Sequence, residues 1–537
     1  MLKDIKVALI GHTLPEPVEM DLPKNPMKAK ALLSLHNFTR VVTEDNKLID
    51  HVAYLKKKLK KSKEETFSLW EMSLCAGLLL TSMLKRNGID CKSFNFLSKE
   101  NEVGVLNEVE SYKPDIIGLS TTFILTPKHF IEVTSNLKER FPNSFIVCGG
   151  HHVFTTLLQM SEDEKKNYLT ESKADCFIND SQGENALLEL VKNFDSDISQ
   201  IPNLIWKNKK NEIMFNHIHP EDNDVNSTLI DFDHLEDPFI AHIRTARSCS
   251  FKCAFCSYPT IAGKLATMEL ENVFTTIRKA KEAGIKAIFF TDDTFNVPKI
   301  RFEAIIDGML ERNLQIPWYS FIRCQYLDEN LVHKMKASGC QGSYLGVESG
   351  SDDILKKMKK GSISNFYRDG IKWLKDAGIT SVGSFIMGFP GETAETVEVT
   401  RDFIETSGID YYYIQPFYYL HHTPIFKRAK DYDLTGEGLF WSHSTMNWKQ
   451  AGEHVNRLFL DIKNSTFINP DYTLWEIAYL QLKGLSLEEI KQYRKEINQM
   501  TQKQMLDYGL VSEDWWNKKD LLTNSSGSTM QQKIMIS

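Results

Sequence analysis

The sequence predicts an α/β protein with two parallel-sheet portions and a helical C-terminal portion. Two observations carry this. On both sides of a three-cysteine cluster near the middle of the chain, short apolar runs alternate with segments of helical period, the pattern of strand–crossover–strand units. Beyond about residue 425 the alternation gives way to helical periodicity. A chain of 537 residues is too long for one core. The predicted division is 1–196, a doubly wound sheet; 197–239, a linker containing a hairpin; 240–424, an incomplete parallel barrel of six β/α units; and 425–537, a helical domain.

Composition excludes several classes. An apolar fraction of 42% with 25% charged residues is that of an ordinary globular protein. A formal charge of −7 argues against nucleic acid as the main partner. The apolar run from Leu74 to Leu84 is interrupted by Thr81 and Ser82 and is too short to span a bilayer. Nine cysteines, three of them in one motif, is thiol usage for a reducing compartment. No membrane contact and a cytoplasmic location are therefore expected.

In the first portion, Lys6–Ile10 reads as a buried strand. Lys56, Lys57, Lys58, Lys60, Lys61 and Lys63 crowd one segment, which reads as a solvated helix face. A buried helix follows over Trp70 to Arg86, then a strand over Asp90 to Phe96. Ile116–Ser120, Ser144–Cys148 and Ala174–Ile178 are further strands, with a helix over Lys128–Arg140. In doubly wound sheets ligands sit at the carboxyl ends of strands. Those ends carry Ser120-Thr121-Thr122, Gly149-Gly150-His151 and Gly183-Glu184, small or polar residues that let a large ligand approach the backbone. Leu204–Trp206 and Ile213–Phe215 flank a polar turn and form the hairpin of the linker.

The strand-like stretch Ala241–Ala246 leads into Cys249-Ser250-Phe251-Lys252-Cys253-Ala254-Phe255-Cys256. Soft thiolates favour an iron–sulfur cluster or zinc, and a closed zinc site wants a fourth Cys or His. None follows at zinc-finger spacing, which favours a cubane with one iron free of protein ligands; three buried structural cysteines are the bland alternative. Five strand-like segments follow: Lys286–Asn296, Pro317–Cys324, Gly342–Gly350, Gly378–Pro390 and Tyr411–Pro416. Their ends carry Asp292, Asp293, Arg323, Glu348 and Met387-Gly388, where an incomplete barrel places its site.

The cysteine spacing and Phe255 resemble the signature of the radical S-adenosylmethionine enzymes. The preceding sheet resembles the cobalamin-binding domain of one large subgroup of them. The resemblance implies that Cys249, Cys253 and Cys256 hold a [4Fe–4S] cluster. It places Phe255, Asp292, Asp293, Arg323, Glu348, Met387 and Gly388 around S-adenosylmethionine. It places Ser120, Thr121, Thr122, Gly149, Gly150, His151, Gly183 and Glu184 around cobalamin in a Rossmann-like domain. There is no Asp-x-His-x-x-Gly after the first strand, so no histidine is indicated for the lower face of cobalt. Trp441-Ser442-His443-Ser444-Thr445-Met446, rich in groups that could line a pocket, and the helices after it resemble the C-terminal region of the phosphinothricin-type P-methyltransferases.

What the resemblance implies is methylation of an unactivated carbon or a phosphinate phosphorus through a 5′-deoxyadenosyl radical and methylcobalamin. The substrate would be a small molecule or a peptide, and the electron donor external, of flavodoxin or ferredoxin type. A non-methylating radical reaction (ring formation, rearrangement or epimerisation) is the second reading. A redox-sensing cluster protein that binds a partner without turnover is the third, and the strand-end segments speak against it.

Overall fold

A computed structural model describes residues 5–11, 19–59, 75–94, 102–124, 126–232, 240–469 and 473–510. Lys60, Lys61, Lys63, residues 70–74, most of the linker's end at 233–239 and the polar tail at 523–532 lie outside the described residues. The rest divides into two compact units. One comprises the strand at 6–11, the described part of 70–243, and 261–285; the other comprises the described parts of 17–69, 244–260 and 286 onward.

The first unit is a seven-stranded sheet. Its strands are β1 (Lys6–Gly11), β2 (Asp90–Ser93), β3 (Ile116–Ser120), β4 (Phe145–Gly149), β5 (Cys176–Ile178), β6 (Leu204–Lys207) and β7 (Ile213–Phe215). Strands β2-β1-β3-β4-β5 pair in that order and in parallel. This is the doubly wound order that reverses between β1 and β3. Alternation along β1 builds the core on both faces: Ala8 and Ile10 pack with Ile117, Leu119 and Phe130, while Val7 and Leu9 pack with Ile116, Val147 and Leu187. The hairpin expected in the linker is instead part of the sheet, since β6 pairs antiparallel with β5 and β7 with β6. It covers what would otherwise be an open edge of unpaired backbone groups.

In the second unit, strands β8 (Ala287–Phe290), β9 (Trp318–Ile322), β10 (Cys340–Glu348), β11 (Thr380–Met387), β12 (Tyr411–Pro416) and β13 (Thr466–Phe467) pair in sequence order, all parallel. Helices Lys299–Glu311, Glu329–Ser338, Ser364–Asp376 and Ala394–Thr406 connect them. β11 is buried along its whole length, Thr380, Ser381 and Ser384 included, as expected of a parallel strand covered on both faces. The two-residue β13 has no apolar run of its own in the sequence.

The portion expected to be helical opens with a small antiparallel sheet of Thr435–Glu437, Phe440–His443 and Met446–Asn447. Helices Trp448–Asp461, Thr473–Leu482 and Leu487–Asp507 follow. Residues 19–59, read from the sequence as part of the first domain, belong to this second unit. Arg494 is buried between the Glu476 carboxylate and His51, whose Nδ1 lies 3.0 Å from the guanidinium. The Val42 N–H donates to Gln504 at 3.1 Å, and Phe38 packs edge-on against Phe459. A buried arginine must be matched by charge and hydrogen bonds, so this polar core holds the early segment to the last helices.

Candidate active site

The cysteine loop is fixed at its centre. The Ala254 N–H donates to the Met358 carbonyl at 2.7 Å, and the Ala254 carbonyl accepts from Ile425 N–H at 2.8 Å. The Cys256 N–H closes a turn onto the Cys253 carbonyl, and Ser248 takes a left-handed conformation (φ 70°) at the loop's entry. Cys253 is buried; Cys249 and Cys256 are half-buried, and the Cys249 thiol lies 3.6 Å from the Thr294 hydroxyl. Burial pushes the Cys256 thiol up to about 12, with Cys253, Asp293 and Cys249 adding to the rise. A soft metal centre bound here would displace the thiol protons. Among the described residues no three His, Cys, Asp or Glu side chains converge as a single ion requires. In a cubane each thiolate binds a different iron and one iron keeps no protein ligand, so a set of three cysteine donors fits the cluster.

Asp292 is buried and its carboxylate is engaged by the chain. Its carboxylate accepts from the Thr245 and Ala246 N–H groups at 2.6 and 2.9 Å and from the Thr245 hydroxyl, and Arg301 donates to the Thr245 carbonyl. Asp292, expected near S-adenosylmethionine, clamps the chain entering the cysteine loop. Asp293, its neighbour, is exposed, yet the protein around it and next the Asp292 charge push its carboxyl upward, while the Tyr258 hydroxyl opposes the shift.

Arg323, expected to face a carboxylate or substrate, points into the cysteine loop. Its Nη2 lies 3.2 Å from Cys253 Sγ, its Nη1 donates to the Lys360 carbonyl at 2.6 Å, and its guanidinium sits 3.5 Å over the Phe251 ring. Glu348 adopts φ 69°, strained for a side-chain-bearing residue. Its carboxylate pairs with Lys360 at 2.7 Å and accepts from Ser384 at 3.2 Å. Burial opposes the charge on Lys360, but Glu348 overrides it and the ammonium is held above its ordinary range. That ammonium also lies 5.7 Å over the half-buried ring of Phe255. Sequence reading missed Lys360 because it closes a run of lysines that looks like a solvated surface. It also missed the buried Tyr344 and Tyr413 hydroxyl pair, whose residues read as ordinary strand aromatics.

Met387 is wholly buried and presents only backbone at the end of β11. Gly388 has φ 85°, and a Cβ there would lie 2.4 Å from Trp441. Its N–H donates to Glu392, and its carbonyl lies 3.1 Å from His443 Nε2, which must therefore carry the proton. His443 stacks on Trp441 at 5.1 Å and accepts at Nδ1 from the Met446 N–H. Trp441 and His443, read as pocket-lining, are buried braces for the β11 turn.

The first sheet gathers two of its three expected turns. Thr121 donates from its N–H and hydroxyl to the Gly149 carbonyl, each at 2.9 Å. Gly150 (φ 105°) abuts Thr121 and Thr122: a Cβ would lie 3.2 Å from the Thr121 nitrogen, and the positive φ strains any other residue. Thr122 and His151 are exposed, and Ser120, Gly149 and Gly150 half-exposed, beside the β1/β3 reversal. These turns offer small polar residues and bare backbone to a large ligand, and they fit a corrinoid's approach. The third turn is held by contacts of its own. Gly183 (φ 76°) packs onto Ile178, Glu184 is buried and accepts from Asn223, and Glu221 caps the helix Glu184–Lys192 through the Asn185 and Ala186 N–H groups. Gly183 and Glu184, expected to contact cobalamin, stand at a helix terminus where a carboxylate of the chain itself accepts from the backbone.

Residues 243–404 match the radical SAM superfamily. A protein of Pyrococcus horikoshii, named an uncharacterized methyltransferase, is 30% identical over 351 residues, covering 62% of this chain and 74% of the relative. Among solved structures, the fold is similar to the radical S-adenosylmethionine methyltransferase TsrM of Kitasatospora setae, solved with cobalamin and a [4Fe–4S] cluster. The TM-score is 0.60 at 14% identity over 94% of this chain and all of that one. It is also similar to the cobalamin-dependent S-adenosylmethionine radical enzyme OxsB, with a TM-score of 0.58 at 16% identity over 96% of this chain and 80% of that one. With the loop of three cysteines at the head of a parallel sheet, and a relative matched over most of its length, the chain belongs to the radical SAM superfamily.

Proposed function

We propose that the chain is a cobalamin-dependent radical methyltransferase acting on an unactivated carbon or a phosphinate phosphorus of a small molecule or peptide. The observation that carries this reading is the presence, in one chain, of a clamped three-cysteine loop and a separate doubly wound sheet with bare, polar turns at its strand reversal. The shared fold with cobalamin- and cluster-binding TsrM and the methyltransferase name of the P. horikoshii relative support it. When bound, the cluster and S-adenosylmethionine supply a carbon radical able to take a hydrogen atom, and cobalamin supplies the methyl group.

The chain's own residues hold and orient. Cys249, Cys253 and Cys256 bind the cluster, and Asp292 with Arg301 keeps the entering strand in place. Phe255, Asp293, Glu348 and the Gly388 backbone are the groups offered to S-adenosylmethionine, with Lys360 fixing the Glu348 carboxylate. Ser120, Thr122, Gly149, Gly150 and His151 face cobalamin, and Thr121 joins their turns. Electrons come from an external flavodoxin- or ferredoxin-type donor.

The test is anaerobic incubation of the reconstituted enzyme with S-adenosylmethionine, reductant and candidate phosphinates or peptides. Formation of both 5′-deoxyadenosine and S-adenosylhomocysteine is expected. 5′-Deoxyadenosine without S-adenosylhomocysteine would point to a non-methylating radical reaction, and neither product would point to a cluster protein without turnover.

A further inference from the structure

We propose that Arg323 is a positioning residue for the iron–sulfur centre: it donates a hydrogen bond to the Cys253 sulfur and raises the reduction potential of the cluster. The inference rests on the radical reading of the cysteine loop. Its starting point is an imbalance of charge. Arg323 is buried, with 6% of its surface exposed, yet among the described residues no carboxylate pairs with it. Its partners are a carbonyl, Lys360 O, at 2.6 Å and a sulfur, Cys253 Sγ, at 3.2 Å. The neighbouring buried cation, Lys360, is by contrast neutralised by Glu348 at 2.7 Å. A buried guanidinium without an anion is costly. The anion on offer is the Cys253 sulfur, which becomes a thiolate when it binds iron.

The guanidinium is held from several sides. Asn296 bonds to both the N–H and the carbonyl of Arg323, at 2.9 and 2.8 Å, which fixes its backbone. The Phe251 ring covers its face at 3.5 Å and comes from the cysteine loop itself. One arm of the fork therefore points at the ligand and the other is anchored on Lys360 O. A lysine could not serve both acceptors in this planar geometry. Reduction adds one negative charge to the cluster and its thiolates. A fixed positive charge and an N–H···S bond favour that state, and both act strongly in a dry site.

The experiment is an anaerobic potentiometric titration of the full-length reconstituted protein without S-adenosylmethionine, followed by the electron paramagnetic resonance signal of the reduced cluster. R323Q removes the charge and keeps a polar side chain. Its midpoint potential is expected below that of the wild type at equal iron and sulfide content. If R323Q retains less cluster, R323K is titrated instead; it keeps the charge but not the fork, and a smaller shift in the same direction is expected. An unchanged potential in the variant titrated overturns the proposal, as does a shift that appears only when S-adenosylmethionine is added, since that would make Arg323 a cofactor ligand. Failure of the wild type to assemble a [4Fe–4S] cluster would overturn the radical reading itself and is seen before any variant is compared.

Discussion

The strand ends of the two parallel sheets solve different problems. Those of the second sheet carry buried charges, each answered by a named partner: Asp292 by backbone N–H groups, Glu348 by Lys360, Arg323 by Cys253. In the first sheet the ends of β3 and β4 carry no buried charge, and the buried carboxylates Asp180 and Glu184 lie after β5. The β3 and β4 ends consist of threonine and glycine turns tied to each other, with Thr122 and His151 left facing solvent. A site that stabilises changing charge needs a preorganised polar frame, whereas one that receives a large flat ligand needs bare backbone and space. The two should therefore fail differently when mutated.

The largest expected effect is C253A. Iron and sulfide content after reconstitution should fall to background, as should 5′-deoxyadenosine formation, while corrinoid retention stays at the wild-type level. Parallel loss of corrinoid would break the comparison by showing that the two sites stand or fall together. Next is K360M, which leaves the Glu348 carboxylate buried without its cation. Removing one partner of such a pair costs about 3–5 kcal/mol, read as a lowered denaturant midpoint at unchanged slope. A stability within error of the wild type would mean that Ser384 alone suffices for Glu348. G388A follows, at about 1–3 kcal/mol, because the residue has φ 85° and a new Cβ would run into Trp441.

A pH effect sharpens the picture of the same turn. Burial pushes the Glu392 carboxyl up to about 8 from 4.5. The folded state then holds a proton that the unfolded state releases between those values. Stability from this group is present below about 4.5 and is lost as pH rises toward 8. E392Q, which cannot ionise, should flatten the fall in unfolding free energy across that window; an identical slope in both proteins would contradict the assignment. The smallest effect is expected in the first sheet. G150V should weaken corrinoid retention while leaving cluster content intact, and equal retention would remove the Gly150 turn from the cobalamin face.

Much of this was legible in the sequence, and the residues show why the rest was not. Apolar runs such as Ile116–Ser120 and Ala287–Phe290 declare buried parallel strands, and cysteine spacing declares a soft metal site. What periodicity cannot express is where a polar side chain turns. Asp292 and Arg323 stand at strand ends as expected, but one faces the backbone of a preceding strand and the other a cysteine 70 positions away. Glu221 lies in a polar stretch with no motif, and only the fold brings it to the helix terminus beside Gly183. The hairpin was readable, but not its place at the edge of β5, because strand neighbours are set by the whole sheet. The early segment at 17–69 carries nothing in its composition to signal that His51 meets Arg494.

The most direct test of the central claim is anaerobic reconstitution of the full chain with iron, sulfide and hydroxocobalamin, followed by desalting and an absorption spectrum with iron and cobalt analysis. Cluster absorption together with a stoichiometric corrinoid band is the predicted result. A cluster with no retained corrinoid would contradict the account: the first sheet would then be a scaffold, and methyl transfer from cobalamin would have no place in the chemistry.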